Sequence, residues 1–272
     1  MATWESFETQ CTDYLQNKFG TYAKFERKGG SDSTIPDILV KTNTGRDFWI
    51  EVKQSPAQCG QFVLVPDLKT KTFQYSSKNI TRYNKQTEQI IEYMNQNFDE
   101  FREAGTTGKN IDIPDKTNIF SNWIIKTYGD KGVRFFITNN YTLLPLACFS
   151  TYFDITARYR VKRSGSSHVG KNNINAVAEY IKSQVGSAIH FRTDENKLYI
   201  ISSQPLCDFS FRPLRFVFNN YEYFFSLKST TYGYEYEIRK LSNTYNLNVI
   251  FSIKYKPEIS GITDDEFINF LN

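Results

Sequence analysis

The chain has 272 residues, 16% of them aromatic, with a formal net charge of +4 and a pI near 8.7. That length supports a sizeable core and one to three domains, and the aromatic content excludes a disordered chain. The mild basic excess is compatible with a polyanionic partner without establishing one, and no run approaches the ~18 apolar residues that a membrane span needs.

Acidic Glu5, Glu8 and Asp13 stand where a signal peptide would need an apolar run, so a soluble cytoplasmic protein is expected. Thr3 is a candidate N-cap, and Trp4, Phe7, Cys11, Tyr14, Leu15 and Phe19 recur at helical spacing up to Gly20. Glu8 lies on the edge of that apolar stripe. It reads equally as a carboxylate looking inward at the next segment and as a solvated helix residue.

The Gly/Ser-rich turn "RKGGSDST", which contains Ser31, allows backbone to approach a phosphate closely. Residues 37–41 and 47–53 then alternate as two strands joined by Asn43-Thr44-Gly45, which is a hairpin. The period of two puts Glu51 and Lys53 on one face with Trp49, and Phe48, Ile50 and Val52 on the other. Asp37 starts the neighbouring strand and can meet Glu51 across the ladder, setting two carboxylates beside one ammonium. Such a cluster suits a hard divalent cation. The alternative is a surface hairpin whose charges face water, because acid-x-Lys after Pro-Asp is a loose pattern by itself.

Beyond the hairpin, Pro56 and Gly60 are expected to break regular structure before a short strand at 62–65. Gln54, Gln58 and Gln61 are amides near the carboxylates, suited to DNA phosphates or base edges and equally to ordinary loop bonding. A helix is expected over 81–103, a polar boundary over 106–118, a helix over 122–128 and a buried strand over 133–138. After residue 141 short strands dominate, at 143–149, 156–162, 197–202, 215–218, 221–228, 234–239 and 248–255. One helix interrupts them at 172–185, and Asn219-Asn220 reads as a two-residue hairpin turn. The fold class is α+β.

The segment "RYRVKRSGSSHVGKNN" is strongly basic, with no acid from Ile155 to Ala178. Arg158, Arg160 and Lys162 project from one strand face, and a Ser/Gly loop carries Arg163, Ser164, Ser166, Ser167 and His168 beyond it. Lys171 and Asn172 follow at a helix start, where partial positive charge favours phosphate. This composition fits a DNA groove reader, the other reading being a solubilising sheet edge. His168 and His190 have no partner motif, the four cysteines form no C-x-x-C pair, and no Walker-type loop points to a nucleotide cofactor.

Pro36-Asp37, Glu51-Val52-Lys53 and the helix bearing Glu8 resemble the PD-(D/E)XK nuclease superfamily. The strings "KGGSDST", "QCGQFVL", "RFFITNN", "YRVKRSGSSH" and "NVIFSIKYK" occur in an order that resembles the HhaI-like Type II restriction endonucleases. The resemblance implies a mixed-sheet nuclease core with additional β-rich DNA-recognition regions. The expected division is a catalytic domain at 1–140, a sequence-recognition region at 141–205 and an accessory DNA-binding region at 206–272. It implies Mg²⁺ held by Asp37, Glu51 and the Val52 carbonyl, Lys53 and Glu8 as further catalytic groups, and duplex GCGC cut to leave 3′ overhangs by a monomer. A homodimer stays open, as do two other readings: a Holliday-junction resolvase or repair nuclease with the same triad, and a DNA-binding module without catalysis.

Overall fold

Helix α1 (Trp4–Phe19) leads into β1 (Ala23–Arg27), β2 (Ile38–Thr42) and β3 (Asp47–Val52) in the computed structural model. Then come β4 (Ala57–Asp67), β5 (Thr72–Tyr75), α2 (Lys85–Gln96), the one-turn α3 (Phe98–Phe101), β6 (Lys109–Asn110) and α4 (Lys116–Gly129). β7 (Val133–Thr138), β8 (Thr142–Pro145), α5 (Phe149–Tyr152) and β9 (Phe153–Arg163) follow. The next elements are β10 (Ser166–His168), α6 (Ile174–Val185), β11 (Ile189–Asp194), β12 (Lys197–Ser202), β13 (Arg215–Phe218), β14 (Tyr221–Ser229) and β15 (Tyr234–Leu241). β16 (Tyr245–Tyr255) and α7 (Asp264–Leu271) end the chain. The structure describes residues 4–29, 35–163, 165–185, 189–206, 214–229, 233–242 and 245–272, so Thr3, Ser31, Ser164 and Cys207 lie outside it.

Two units result, one of Met1–Val161 with Leu247–Asn272 and one of Lys162–Asn246. These divisions differ from the expected ones at 140 and 205. Residues after 140 still belong to the first unit because β8 pairs with β7, and the last segment returns to it because β16 pairs with β4. The expected boundary at 106–118 is part of the same body, since Lys109 and Asn110 pair with Tyr159 and Arg158 of β9.

In the first unit one sheet runs β1-β2-β3-β7-β8 and another runs β5-β4-β16-β9-β6. The first is antiparallel except where β3 meets β7 in parallel. Both of its faces are covered. Ile38, Val40, Phe48, Ile50 and Val52 pack with Cys11, Leu15 and Phe19 of α1 and with Phe267 and Leu271 of α7, while Trp49 and Phe136 face the second core. That second core centres on Phe62, Trp123 and Phe251, with the Trp123 and Phe251 rings stacked at 4.2 Å. The second unit is a sheet of order β11-β12-β15-β14-β13, with β10 pairing β15. Its core includes Val177 and Ile181 of α6, Ile200 and Ile238.

Several expected elements change in extent for local reasons. The helix expected over 81–103 starts only after Asn84, whose side chain accepts from Thr87 N at 2.9 Å. It is interrupted at Asn97, whose Nδ2 donates to the Tyr93 carbonyl at 2.8 Å. Gly60 does not end a strand. It lies inside β4 at φ +91, opposite a register shift between Ile250 and Ser252, as a bulge residue. A Cβ there would stand 2.6 Å from the Trp123 ring. Gly60→Ala is therefore expected to destabilise the protein by about 2 kcal/mol or more, read from the urea midpoint. Asn219 and Asn220 both take positive φ, 47 and 63, as a two-residue hairpin turn requires.

Candidate active site

The β2–β3 register sets the site. Ile38 lies opposite Ile50 and Leu39 opposite Trp49, so one step further Asp37 faces Glu51. Asp37 is fixed by its own strand end: its Oδ2 accepts from Val52 N at 2.7 Å, and its carbonyl accepts from Lys28 N and Gly29 N at 2.8 and 2.9 Å. Gly29 must lack a side chain because a Cβ there would stand 2.6 Å from Asp37 Oδ1. Glu51 is 7% exposed, and Lys53 Nζ donates to its Oε1 at 2.5 Å. The expected meeting of two carboxylates and one ammonium is thus formed.

Electrostatics sharpen the picture. Burial, together with the Glu51 charge, pushes the Asp37 carboxyl up to about 7, although Lys53 and the Val52 amide oppose this. Burial pulls the Lys53 ammonium down, but Glu51 and Asp37 outweigh it and hold the group above the usual lysine range. One ammonium does not neutralise two adjacent carboxylates, so the cluster has a remaining appetite for positive charge.

Glu8 does look inward. It is buried on α1, and Arg27 Nη2 and Nε reach its Oε2 at 3.1 and 3.3 Å. Burial raises its carboxyl, Arg27 opposes that, and the charges of both Lys53 and Glu51 act on it. Arg27, the partner of Glu8, is a candidate site residue that the alternation of the sequence does not single out, because the charges of β1 read as loop. The segment after Lys53 is pinned by two more unanticipated residues. Thr138 Oγ1 donates to the Lys53 carbonyl at 2.6 Å, and the Asn139 amide bonds both Ser55 N and Ser55 O at 2.9 and 3.0 Å.

Among the described residues no three His, Cys, Asp or Glu side chains gather as a metal-binding group. Mg²⁺ does not need three: it takes one or two carboxylates and fills its shell with water and phosphate. Two hard carboxylates, with Asp37 lifted by burial and then by the charge of Glu51, fit that ion.

The candidate DNA contacts separate between the units. Gln54 and Gln58 are exposed, and Gln58 Nε2 donates to Gln61 Oε1 at 2.9 Å on β4. Arg158 and Arg160 share the face of β9 opposite the buried Ala157 and Tyr159. Arg158 bonds Asn110 Oδ1 at 3.0 Å and the Thr107 carbonyl at 3.3 Å. Lys162 begins the second unit, and the side chain of Arg163 is outside the described set.

Ser166 and His168 belong to an internal network in that second unit. Glu237, only 4% exposed, lies 2.7 Å from His168 Nδ1, 2.8 Å from Arg239 Nη1 and 3.3 Å from Lys228 Nζ. Arg239 also donates to Ser166 Oγ and O, at 3.2 and 2.9 Å. Burial raises the Glu237 carboxyl, but Arg239, His168 and Lys228 outweigh it and hold the group below its usual range. Ser166 and His168 therefore clamp β10 to β15, a role the basic composition did not reveal. Lys171 and Asn172 are exposed just before α6. No described helix is long and apolar enough to cross a membrane.

No family model matches the chain, and no curated protein does. Among solved structures it is similar to HhaI endonuclease in complex with DNA, at 35% sequence identity and a TM-score of 0.75. The similarity covers 95% of this chain and 93% of the other.

Proposed function

The chain belongs to the HhaI endonuclease family of Type II site-specific DNA endonucleases, and from that premise we propose that it cuts duplex DNA at GCGC with Mg²⁺ through a PD-(D/E)XK site. The observation that carries the chemistry is the cluster of Asp37, Glu51 and Lys53, two carboxylates and an ammonium held at one end of a hairpin. Asp37, Glu51 and the Val52 carbonyl are the groups that would hold Mg²⁺, which when bound neutralises phosphate charge and acidifies a water.

The protein's own residues do the rest. Lys53 stays protonated beside Glu51, so it can orient the attacking water and stabilise the charge that builds on the pentacovalent phosphorus. Glu8, held by Arg27, acts on the cluster from α1 through its charge. Val52 N–H fixes the rotamer of Asp37. In-line hydrolysis leaves 5′-phosphate and 3′-hydroxyl ends, with 3′ overhangs in the proposed register, and the enzyme acts as a monomer.

For DNA reading, Gln54, Gln58, Gln61, Arg158 and Arg160 serve in the first unit together with Ser31 of the Gly/Ser turn. Lys162, Arg163, Ser164, Lys171 and Asn172 serve in the second. Ser166 and His168 support that surface through the Glu237 network rather than reading bases freely. Duplexes that differ only in one GCGC site test the specificity. Cutting of the GCGC duplex alone in Mg²⁺ is expected, whereas equal cutting of all duplexes, or of a four-way junction in preference to them, would refute it.

A further inference from the structure

The first unit carries a recess lined by Arg158 and Arg160, which the reading above assigns to DNA without saying which part of the strand they hold. In this unit β6, β9, β16 and the start of α4 line a cavity of about 600 Å³. Its floor is apolar, made by Ile111, Phe120 and Ile250, all buried. Its wall is polar and carries both signs of charge, with Asp112 beside Lys116, then Thr156, Arg158, Arg160 and Ser252.

The three cations are not equivalent. Arg158 is held by Asn110 and Thr107, and Lys116 by Asp112 at 2.8 Å. Arg160 has no ion-pair partner among the described residues. The backbone is shaped around the two arginines. Gly108, at φ +76, would place a Cβ 2.4 Å from that of Arg160 and 3.1 Å from Cγ of Arg158.

We propose that this cavity takes one nucleotide of the DNA strand flanking the scissile phosphate, with its phosphate on Arg160 and its sugar and base over the apolar floor. The inference rests on the endonuclease reading above. A recess with an apolar floor and a few convergent donors is the usual form of a site for a group of nucleotide size. A guanidinium without a carboxylate partner suits a phosphate.

The chain path ties the cavity to the catalytic strand. Two residues past Lys53, Ser55 Oγ accepts from Tyr255 N at 2.7 Å, and β16 then runs beside β4 with Ser252 opposite Gln58 and Ile250 opposite Gln61. Ser252 is three residues from Tyr255, about 10 Å along a strand. On this proposal a duplex bound at Lys53 must also run along this sheet.

Length-dependent binding tests this. Duplexes with one recognition site and flanks trimmed a nucleotide at a time are titrated in Ca²⁺ against the full-length protein, Arg160→Gln and the cavity-filling Thr156→Phe. The unmodified protein is expected to bind the long duplex about tenfold more tightly than the one lacking the flanking nucleotide. In both variants that ratio falls towards one, and Arg160→Gln lowers the salt slope by about one. A ratio unchanged in both variants, or equal weakening at every length, overturns the proposal. A free deoxymononucleotide or inorganic phosphate that raises the melting temperature, with no length dependence on DNA, assigns the cavity to a free ligand and also overturns it. The two readings fail separately. A protein that cuts in Mg²⁺ yet shows no length ratio refutes the cavity alone, whereas one that cuts nothing while Arg160→Gln still erases the ratio refutes the endonuclease reading alone.

Discussion

Lys53→Ala is expected to lower single-turnover DNA cleavage by about a hundredfold to a thousandfold while leaving affinity for the same duplex in Ca²⁺ nearly unchanged. The ammonium is within 2.5 Å of Glu51 and is held protonated by Glu51 and Asp37, so its charge is present throughout the working pH range. In the proposed mechanism its task belongs to the transition state, where charge accumulates on the phosphorus, and a loss there appears in the chemical step rather than in binding. Lys53→Arg is not a rescue, because a planar fork cannot occupy the place of a compact ammonium between two strands. A variant that cuts at the unmodified rate would remove Lys53 from the mechanism. Truncation also strips buried Glu51 of its partner, so a melting curve recorded in parallel separates lost chemistry from lost fold.

Asp37 gives the second large effect, and it depends on pH. Its carboxyl is raised from the ordinary 3.8 to about 7 by burial and by Glu51. A raised carboxyl favours the protonated form in the fold, so its contribution to the stability of the metal-free protein is full below pH ~4 and is lost as pH rises through about 7. A bound dication reverses the preference by favouring the carboxylate. At limiting Mg²⁺, cleavage should therefore fall as pH is lowered through 7 and recover at the same pH when Mg²⁺ is raised. The melting temperature should respond to Mg²⁺ more strongly at pH 8 than at pH 5.5. Asp37→Asn should abolish cleavage and flatten both dependences. A Mg²⁺ response in Asp37→Asn equal to that of the unmodified protein would refute Asp37 as a ligand.

The hairpin was legible because a strand buried on both sides fixes its register through alternation, and a one-residue slip would turn Phe48, Ile50 and Val52 away from α1. The helix at Ile174–Val185 and the Asn219-Asn220 turn were legible for similar local reasons, a continuous apolar period and a residue tolerant of positive φ. Strand β1 was not. In "AKFER" only Ala23 and Phe25 are buried, and the intervening charges read as loop, which concealed Arg27 and hence the partner of Glu8. Helix α7 carries its own local signal, the capping box of Thr263 and Glu266. The return of β16 to β4 is a pairing between residues nearly two hundred positions apart, and nothing in local composition specifies it. The same holds for Glu237. Its strand was recognised, but that a buried acid there would gather Arg239, Lys228, His168 and Ser166 follows only from the sheet order.

Hydrolysis of DNA at one short sequence by the Asp37, Glu51 and Lys53 cluster is the proposal on which the other roles depend. Its most direct test is digestion of a fully sequenced plasmid in Mg²⁺ by the unmodified protein and by Lys53→Ala, with every end mapped. Discrete fragments ending at GCGC with 3′ overhangs, 5′-phosphates and 3′-hydroxyls are predicted for the unmodified protein, and intact plasmid for the variant at the same enzyme concentration and time. Ends scattered over unrelated sequences, or an identical fragment pattern from both proteins, would contradict the account.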